Sequence, residues 1–211
     1  MKIAVIGATG KQGSLLLEES IKRGHDTSAI VRKDNGNINN KAGLIVRDIL
    51  DINYSDLKEF DVIVDALGFW TEETLPLHYT SLKHFADVLS GKENRLLVVG
   101  GAGSLYVDKE LKTRLMDTPD FPDDYMPIAV NMGKAFDEIK TRNDVKWTYL
   151  SPAANFVADG VRTGSYKVGG DILTLNSKGE SEISYADFAV AMIDEAENAK
   201  HIQERFSVVS K

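Results

Sequence analysis

Seven residues near the start of the chain, Gly7-Ala8-Thr9-Gly10-Lys11-Gln12-Gly13, constrain the fold more than any other stretch. They follow a short apolar run, Lys2 to Ile6, that reads as a buried strand. They precede Ser14 to Arg23, whose apolar residues recur at helical spacing. Strand, glycine loop and helix, in that order, is the context in which a glycine triplet reads as a dinucleotide-binding turn. Gly7 permits the tight turn, Gly10 leaves the backbone bare where a pyrophosphate approaches, and Gly13 lets the helix pack closely on the strand. The helix then turns its free N–H groups and positive end toward the phosphates. The spacing is G-x-x-G-x-x-G rather than G-x-G-x-x-G, and a glycine-rich turn that binds nothing is the competing reading. The motif's place between strand and helix favours nucleotide binding.

The rest of the chain alternates in the same way. Asp26 to Arg32 reads as the second strand, joined to the first by a right-handed crossover. A fold that binds NAD usually places an acid at this strand's end to hold the ribose diol. Here the strand runs into Arg32 and Lys33, two cations suited to a 2′-phosphate, so NADP is favoured over NAD. A solvated basic pair is the plainer alternative, and Asp34 nearby keeps NAD open. Gly43 to Arg47 is the third strand. Asp48 and Ile49 after it are placed to flank an adenine, and Asp48 serves equally as a cap for a short helix near 53–59.

Asp61 to Ala66 is the fourth strand, followed by Leu67 and by Gly68, where the backbone can approach a ligand. Phe69 and Trp70 come next, as an apolar wall for a flat substrate or as residues buried against the following helix, expected over 74–89. The fifth strand, Arg95 to Val99, runs into Gly100-Gly101-Ala102-Gly103-Ser104, at the sheet edge where such folds bind ligands. Ser104 is a candidate partner for a substrate carbonyl or a carboxamide, or else a turn cap. Residues 106–127, with three prolines, read as a loop holding one helical turn and as a possible lid. A helix over 126–142 carries Lys134, and 147–150 is the sixth strand. Beyond 159 the pattern predicts short strands around Gly169-Gly170, a helix over 184–197 capped by Ser184, and a last strand, 206–209.

Six βα units of this kind imply an α/β fold, a three-layer doubly wound parallel sheet, as one domain over 1–211 with 159–211 as a small substrate-side extension. The 211 residues, 43% hydrophobic and 27% charged, suit that size. A net charge of −7 argues against a nucleic-acid surface. Without cysteine there is no disulfide or thiolate nucleophile, and the four histidines show no paired ligand spacing, so no metal is expected. No apolar run reaches the roughly 20 residues of a membrane span. A first strand that begins at Lys2 does not read as a cleaved leader, so a cytoplasmic protein, monomer or homodimer, is expected.

The glycine loop, the run from Val98 to Leu105, Ser151-Pro152-Ala153, and the tail Arg162-Thr163-Gly164 with Ile183-Ser184 and Asp187-Phe188-Ala189 together resemble one family. It is the NAD(P)H-binding, NADH-flavin reductase-like group of atypical short-chain dehydrogenases, related to biliverdin reductase B and to NmrA-like proteins. The resemblance spans nearly the whole chain. It implies a Rossmann fold, cofactor contacts at Thr9, Lys11, Gln12, Arg32, Asp48, Leu67, Gly68, Pro152 and the loop from Gly101 and Ala102, and a small flat acceptor such as a flavin or quinone. Most short-chain dehydrogenases protonate substrate oxygen with a tyrosine four residues before a lysine. Lys134 fits the lysine slot, but Val130 stands in the tyrosine slot, and the Tyr54/Lys58 and Tyr79/Lys83 pairs fall too early in the chain. The histidine that biliverdin reductase B carries after its sixth strand is Ala153 here. Reduction of a carbonyl gains a factor of roughly 10² to 10⁴ from such an acid, whereas a flavin or quinone delocalises the charge and needs it less. Two functions therefore stand open: an NADPH-dependent flavin or quinone reductase, and an NmrA-like protein that senses NADP(H) without turnover.

Overall fold

The computed structural model describes all 211 residues. Strands β1 (Lys2–Ile6), β2 (Asp26–Val31), β3 (Gly43–Val46), β4 (Val62–Asp65), β5 (Arg95–Val99) and β6 (Lys146–Ser151) alternate with helices α1 (Lys11–Lys22), α2 (Tyr54–Leu57), α3 (Leu77–Val88) and α4 (Met126–Ile139). After them come β7 (Asn155–Val157), β8 (Tyr166–Gly169), β9 (Glu182–Ser184), α5 (Tyr185–Asn198) and β10 (Glu204–Ser210). The main sheet has the order β3-β2-β1-β4-β5-β6-β10-β8, parallel throughout except that β8 runs antiparallel to β10. It is a doubly wound Rossmann-type α/β sheet whose order reverses between β1 and β4.

Near-continuous apolar strands are what a sheet covered on both faces requires. Alternate residues of one strand supply both cores. Ile3 and Val5 pack toward α1 and α5, against Leu16, Leu17, Phe188 and Met192. Ala4 and Ile6 pack toward α2, α3 and α4, against Leu57, Leu82, Phe85 and Phe136. No helix is long and apolar enough to cross a membrane.

Two expectations change, and one pair of strands is new. The 166–175 run is not a hairpin about Gly169-Gly170. β8 instead pairs with β10, and the chain beyond the glycines turns to Tyr106, which donates its N–H to Asp171 O at 2.9 Å and accepts from Leu173 N at 2.8 Å. Partners distant in sequence outcompete the local turn. Residues 106–127 hold two single 3₁₀ turns, Leu115–Asp117 and Asp123–Tyr125, rather than one helical turn. The first is fastened to the loop after β5, with Met116 N donating to Gly103 O at 3.0 Å. The short parallel pair β7–β9 was not foreseen, because three-residue strands leave no periodic signal.

Candidate functional site

The reversal between β1 and β4 leaves a crevice at the carboxyl edge of the sheet, and the glycine loop lies in it. Gly7 holds φ at +81°, and its N–H donates to Ile30 O at 3.1 Å. A Cβ there would stand 2.9 Å from Ala66 O, so this loop presses on the end of β4. A Cβ on Gly13 would overlap the carbonyl oxygen of Gly7, so only glycine lets α1 start this close to the turn. Gly10 is the N-cap of α1 and offers no side chain to cap it, and the first turn carries no acid. Thr9, Gly10 and Lys11 are exposed. Gln12 is buried, with Nε2 donating to Tyr185 O at 3.2 Å and Oε1 left without a partner. A bare helix N-terminus with a basic and an amide side chain and no competing carboxylate fits a dinucleotide pyrophosphate.

At the end of β2, Arg32 and Lys33 are exposed, and neither makes a hydrogen bond or ion pair with the protein. Asp34 turns its carboxylate back on Gly36 N at 2.8 Å, in a local turn. Asp48 likewise accepts from Leu50 N at 3.2 Å and does not cap α2. That cap is Asn53, which accepts from Ser55 N at 3.0 Å and completes a capping box with Asp56. Ile49 is half-buried, with one side against the α2–α3 core.

The loop after β4 separates two residues that the sequence treats alike. Phe69 lies edge-on to His78, 5.1 Å between ring centroids, and His78 Nε2 sits 3.1 Å from Phe69 O. Trp70 stands 68% exposed beside Gly68. Beneath this loop Asp65, 6% exposed, accepts from Leu67 N at 3.1 Å. Burial pushes its carboxyl up to about 7, and the Leu67 hydrogen bond offsets only part of this. Asp65 shares a small cavity with His78, Ser81 and Tyr149, and burial lowers the His78 pKa and raises that of Tyr149 to about 12. A carboxylate inside an otherwise apolar strand is visible in the sequence, yet its role was not anticipated.

Beyond β5, Gly101 and Ala102 are half-buried at the edge, whereas Ser104 is only 3% exposed. The Ser104 hydroxyl accepts from Arg205 Nη1 at 3.0 Å, and its carbonyl accepts from the same nitrogen at 2.9 Å. Arg205, from β10, also donates through Nε to Asp171 at 2.6 Å and lies 4.2 Å from the centroid of the Phe136 ring. Ser104, expected to meet a substrate, is buried here and supports the loop from beneath, its hydroxyl oxygen accepting from Arg205. Lys134 needs correction as well. The face of α4 that meets the β5 loop carries Ala129 against Gly103 and Met132 against Gly101. At about 100° per residue, Lys134 falls on the opposite side, and it is exposed with no partner. The early pairs are engaged elsewhere: Tyr79 donates to Glu138 at 3.3 Å, and Lys83 pairs with Asp87 at 2.6 Å.

Pro152 is buried at the end of β6, and just past it stands an aromatic group that sequence reasoning missed. Phe156 and Tyr185 lie 4.0 Å apart between ring centroids, and Phe188 backs Phe156 at 4.9 Å. Burial, and next the neighbouring Tyr125, raise the Tyr185 phenol pKa. The carbonyl of Tyr185 is the acceptor for Gln12, which ties this group to the start of α1. No group of three or more His, Asp or Glu side chains comes together as a metal site.

Known proteins share this architecture over its full length. YwnB of Bacillus subtilis, an uncharacterized protein, is 45% identical over 212 residues, covering 100% of this chain and 99% of YwnB. The crystal structure of SP1627 from Streptococcus pneumoniae, provisionally named an NADH-flavin reductase, is also 45% identical, with full coverage of both chains and a TM-score of 0.95. A Bacteroides thetaiotaomicron protein provisionally named an epimerase is 36% identical, covers 99% of this chain and 96% of its own, and has a TM-score of 0.86. The profile of the NAD(P)H-binding family matches residues 7–198. With the glycine loop in the crevice and relatives at this identity, the chain belongs to the NAD(P)H-binding family.

Proposed function

We propose that the protein is an NADPH-dependent reductase of a small flat acceptor, a flavin or a quinone. The observation that carries the NADPH preference is the free Arg32–Lys33 pair at the end of β2, with no acid placed to hold a ribose diol in its stead. Two unpaired cations beside the adenosine half match a 2′-phosphate. Lys11, Thr9 and the bare start of α1 hold the pyrophosphate. The backbone at Leu67, Gly68, Gly101 and Ala102 and the ring of Pro152 border the nicotinamide half, and Asp48 and Ile49 the adenine.

When bound, the reduced nicotinamide supplies a hydride, two electrons with one proton, to the acceptor. A second proton from solvent completes the dihydroflavin or hydroquinone. The chain carries no acid of the Tyr-x-x-x-Lys kind on α4: Val130 fills the tyrosine slot, and Lys134 is exposed there. What remains for the protein is binding, alignment and exclusion of water, which suffices for acceptors that delocalise charge. The provisional name of SP1627, at 45% identity, supports the same class.

The test follows NADPH oxidation at its absorbance maximum with FMN, riboflavin and a naphthoquinone as acceptors, beside a parallel series with NADH. Acceptor-dependent oxidation, faster with NADPH, supports the reading. NADPH binding with no turnover of any acceptor would sink it and leave the NADP(H) sensor as the function.

A further inference from the structure

We propose that Asp65 and Tyr149 are positioning residues, bridged by one water in the cavity between them, that together fix the spacing of the two loops bordering the nicotinamide. This rests on the reductase reading, in which Leu67, Gly68, Gly101 and Ala102 border that ring, and it names the buried groups that hold them. Asp65 ends β4, and its Oδ1 accepts from Leu67 N at 3.1 Å, in the loop after that strand. Tyr149 lies on β6, and its hydroxyl oxygen accepts from Gly101 N at 3.4 Å, in the loop after β5. Each side chain thus meets one amide, and the two amides belong to the two loops. Both side chains also line one cavity of about 20 Å³, with His78 and Ser81 of α3. Elements β5 and α4 close it with Val98, Val99, Met132 and Ala135, none of them charged.

That volume is room for a single water, which at such a site needs roughly two to four polar partners. The cavity offers them. Asp65 is 6% exposed, and its Oδ2 meets no partner in the protein. Tyr149 is 1% exposed, and its two contacts, Gly101 N at 3.4 Å and Met132 O at 3.5 Å, are long for a phenol, which leaves capacity for a closer partner. Ser81 donates to Leu77 O at 2.6 Å and keeps lone pairs for another donor. His78 commits Nε2 to Phe69 O at 3.1 Å, which fastens the loop after β4 a second time. Burial favours the protonated form of Asp65, so Oδ2 has a proton to give. The hydrogen bonds then run in one direction without conflict: Asp65 Oδ2–H donates to the water, the water to Tyr149 Oη, and Tyr149 Oη–H to Met132 O. A polar relay joins Leu67 N to Gly101 N beneath the crevice.

Three readouts, none of which needs turnover, test the relay. A high-resolution crystal structure of the wild type should show one water within hydrogen-bond reach of both Asp65 Oδ2 and Tyr149 Oη, and its absence there overturns the bridge. Amide exchange is compared in wild type, Asp65→Leu and Tyr149→Phe. Tyr149→Phe keeps the ring and loses only the hydroxyl, yet exchange should rise about fivefold at Leu67 as well as at Gly101. A rise at Gly101 alone means two separate contacts and overturns the proposal. NADP⁺ and 2′-phospho-ADP-ribose, which lacks the nicotinamide, are then titrated by tryptophan fluorescence. Each of the two variants should weaken NADP⁺ about fivefold and leave 2′-phospho-ADP-ribose within about twofold, a split that general loosening of the fold does not produce. Asp65→Asn, whose amide accepts and donates in the same places, should keep wild-type affinity for both. Tyr149→Phe carries the test if Asp65→Leu does not fold. Equal losses of the two ligands, or no loss of NADP⁺ in Tyr149→Phe, overturn the positioning role. If the water and the coupled exchange are found but wild type binds neither ligand, the bridge between the loops stands and the nucleotide reading falls.

Discussion

Arg205 reaches from the last strand to the loop after β5 and spans Ser104, donating from one nitrogen to both its carbonyl oxygen and its hydroxyl, at 2.9 and 3.0 Å. The guanidinium is 1% exposed and shares its remaining donors with Asp171, so it is a buried cation fully committed to holding one loop. Removing it strands buried acceptors at Ser104. Arg205→Leu is expected to cost about 2–4 kcal/mol, toward the lower end because Asp171 is half-open to water. For a chain of this size that lowers Tm by roughly 5–12 °C, measurable by calorimetry. Amide exchange at Leu105 and Leu115, whose backbones bond across this loop, should rise before the rest of the sheet opens.

Gly13→Ala places a methyl group against the Gly7 carbonyl. The start of α1 has to shift to relieve the overlap, at a cost of about 1–3 kcal/mol in stability. The same shift moves the amides that meet the pyrophosphate, so NADPH affinity should fall at least about tenfold. Thermal melting and cofactor titration of the one variant check both effects.

Arg32→Ala separates the two nicotinamide cofactors. A charge-assisted hydrogen bond to phosphate is worth about 1.5–3 kcal/mol, so NADPH affinity should drop roughly 10- to 100-fold while NADH is little changed. An equal effect on both, in titrations followed by Trp70 and Trp147 fluorescence, would overturn the 2′-phosphate assignment.

Asp65 makes stability depend on pH. Its folded pKa, about 7, stands above the unfolded value, so the folded state binds the extra proton between about 4 and 7. Stability from this group is full below pH 4, falls as pH rises and is lost above 7. The upper bound is about 4 kcal/mol for a displacement of roughly three pH units. Asp65→Asn keeps an oxygen to accept from Leu67 N and removes the charge. The variant should match wild type near pH 4 and melt higher at pH 8, a crossover that calorimetry at the two pH values would detect.

Lys134→Ala is expected to leave kcat within about twofold and Tm nearly unchanged, because the side chain is exposed on the far face of α4 and touches no partner. A loss of tenfold or more in NADPH oxidation would return this residue to the cofactor.

The crevice was legible because its cause is local. Strand, turn and helix lie within residues 2–22, and Gly10 and Gly13 answer to the carbonyl of Gly7 only a few residues away, although Gly7 itself presses on Ala66. Parallel strands β1 to β6 were readable for the same reason, as apolar runs between helical periods. The aromatic group past β6 was not. Phe156 and Tyr185 carry no shared spacing and meet only after β7 and α5 have been placed. Arg205 stands one position before an apolar run and gives no sign of reaching a loop a hundred residues earlier. Ser104 and Lys134 show the converse: residue type and position in the pattern suggested chemistry, while the burial of one and the helix phase of the other are set by packing that the pattern does not carry.

That distance has a consequence for how the protein is made. β10 lies between β6 and β8 in the sheet, and it carries the guanidinium that fixes Ser104. During synthesis β1, β2 and β4, the strands around the glycine loop, emerge within the first hundred residues, whereas the loop after β5 waits for residue 205. Such late, long-range closure is slow. The nascent chain therefore holds the strands around its glycine loop well before it has the residue that fastens the loop after β5.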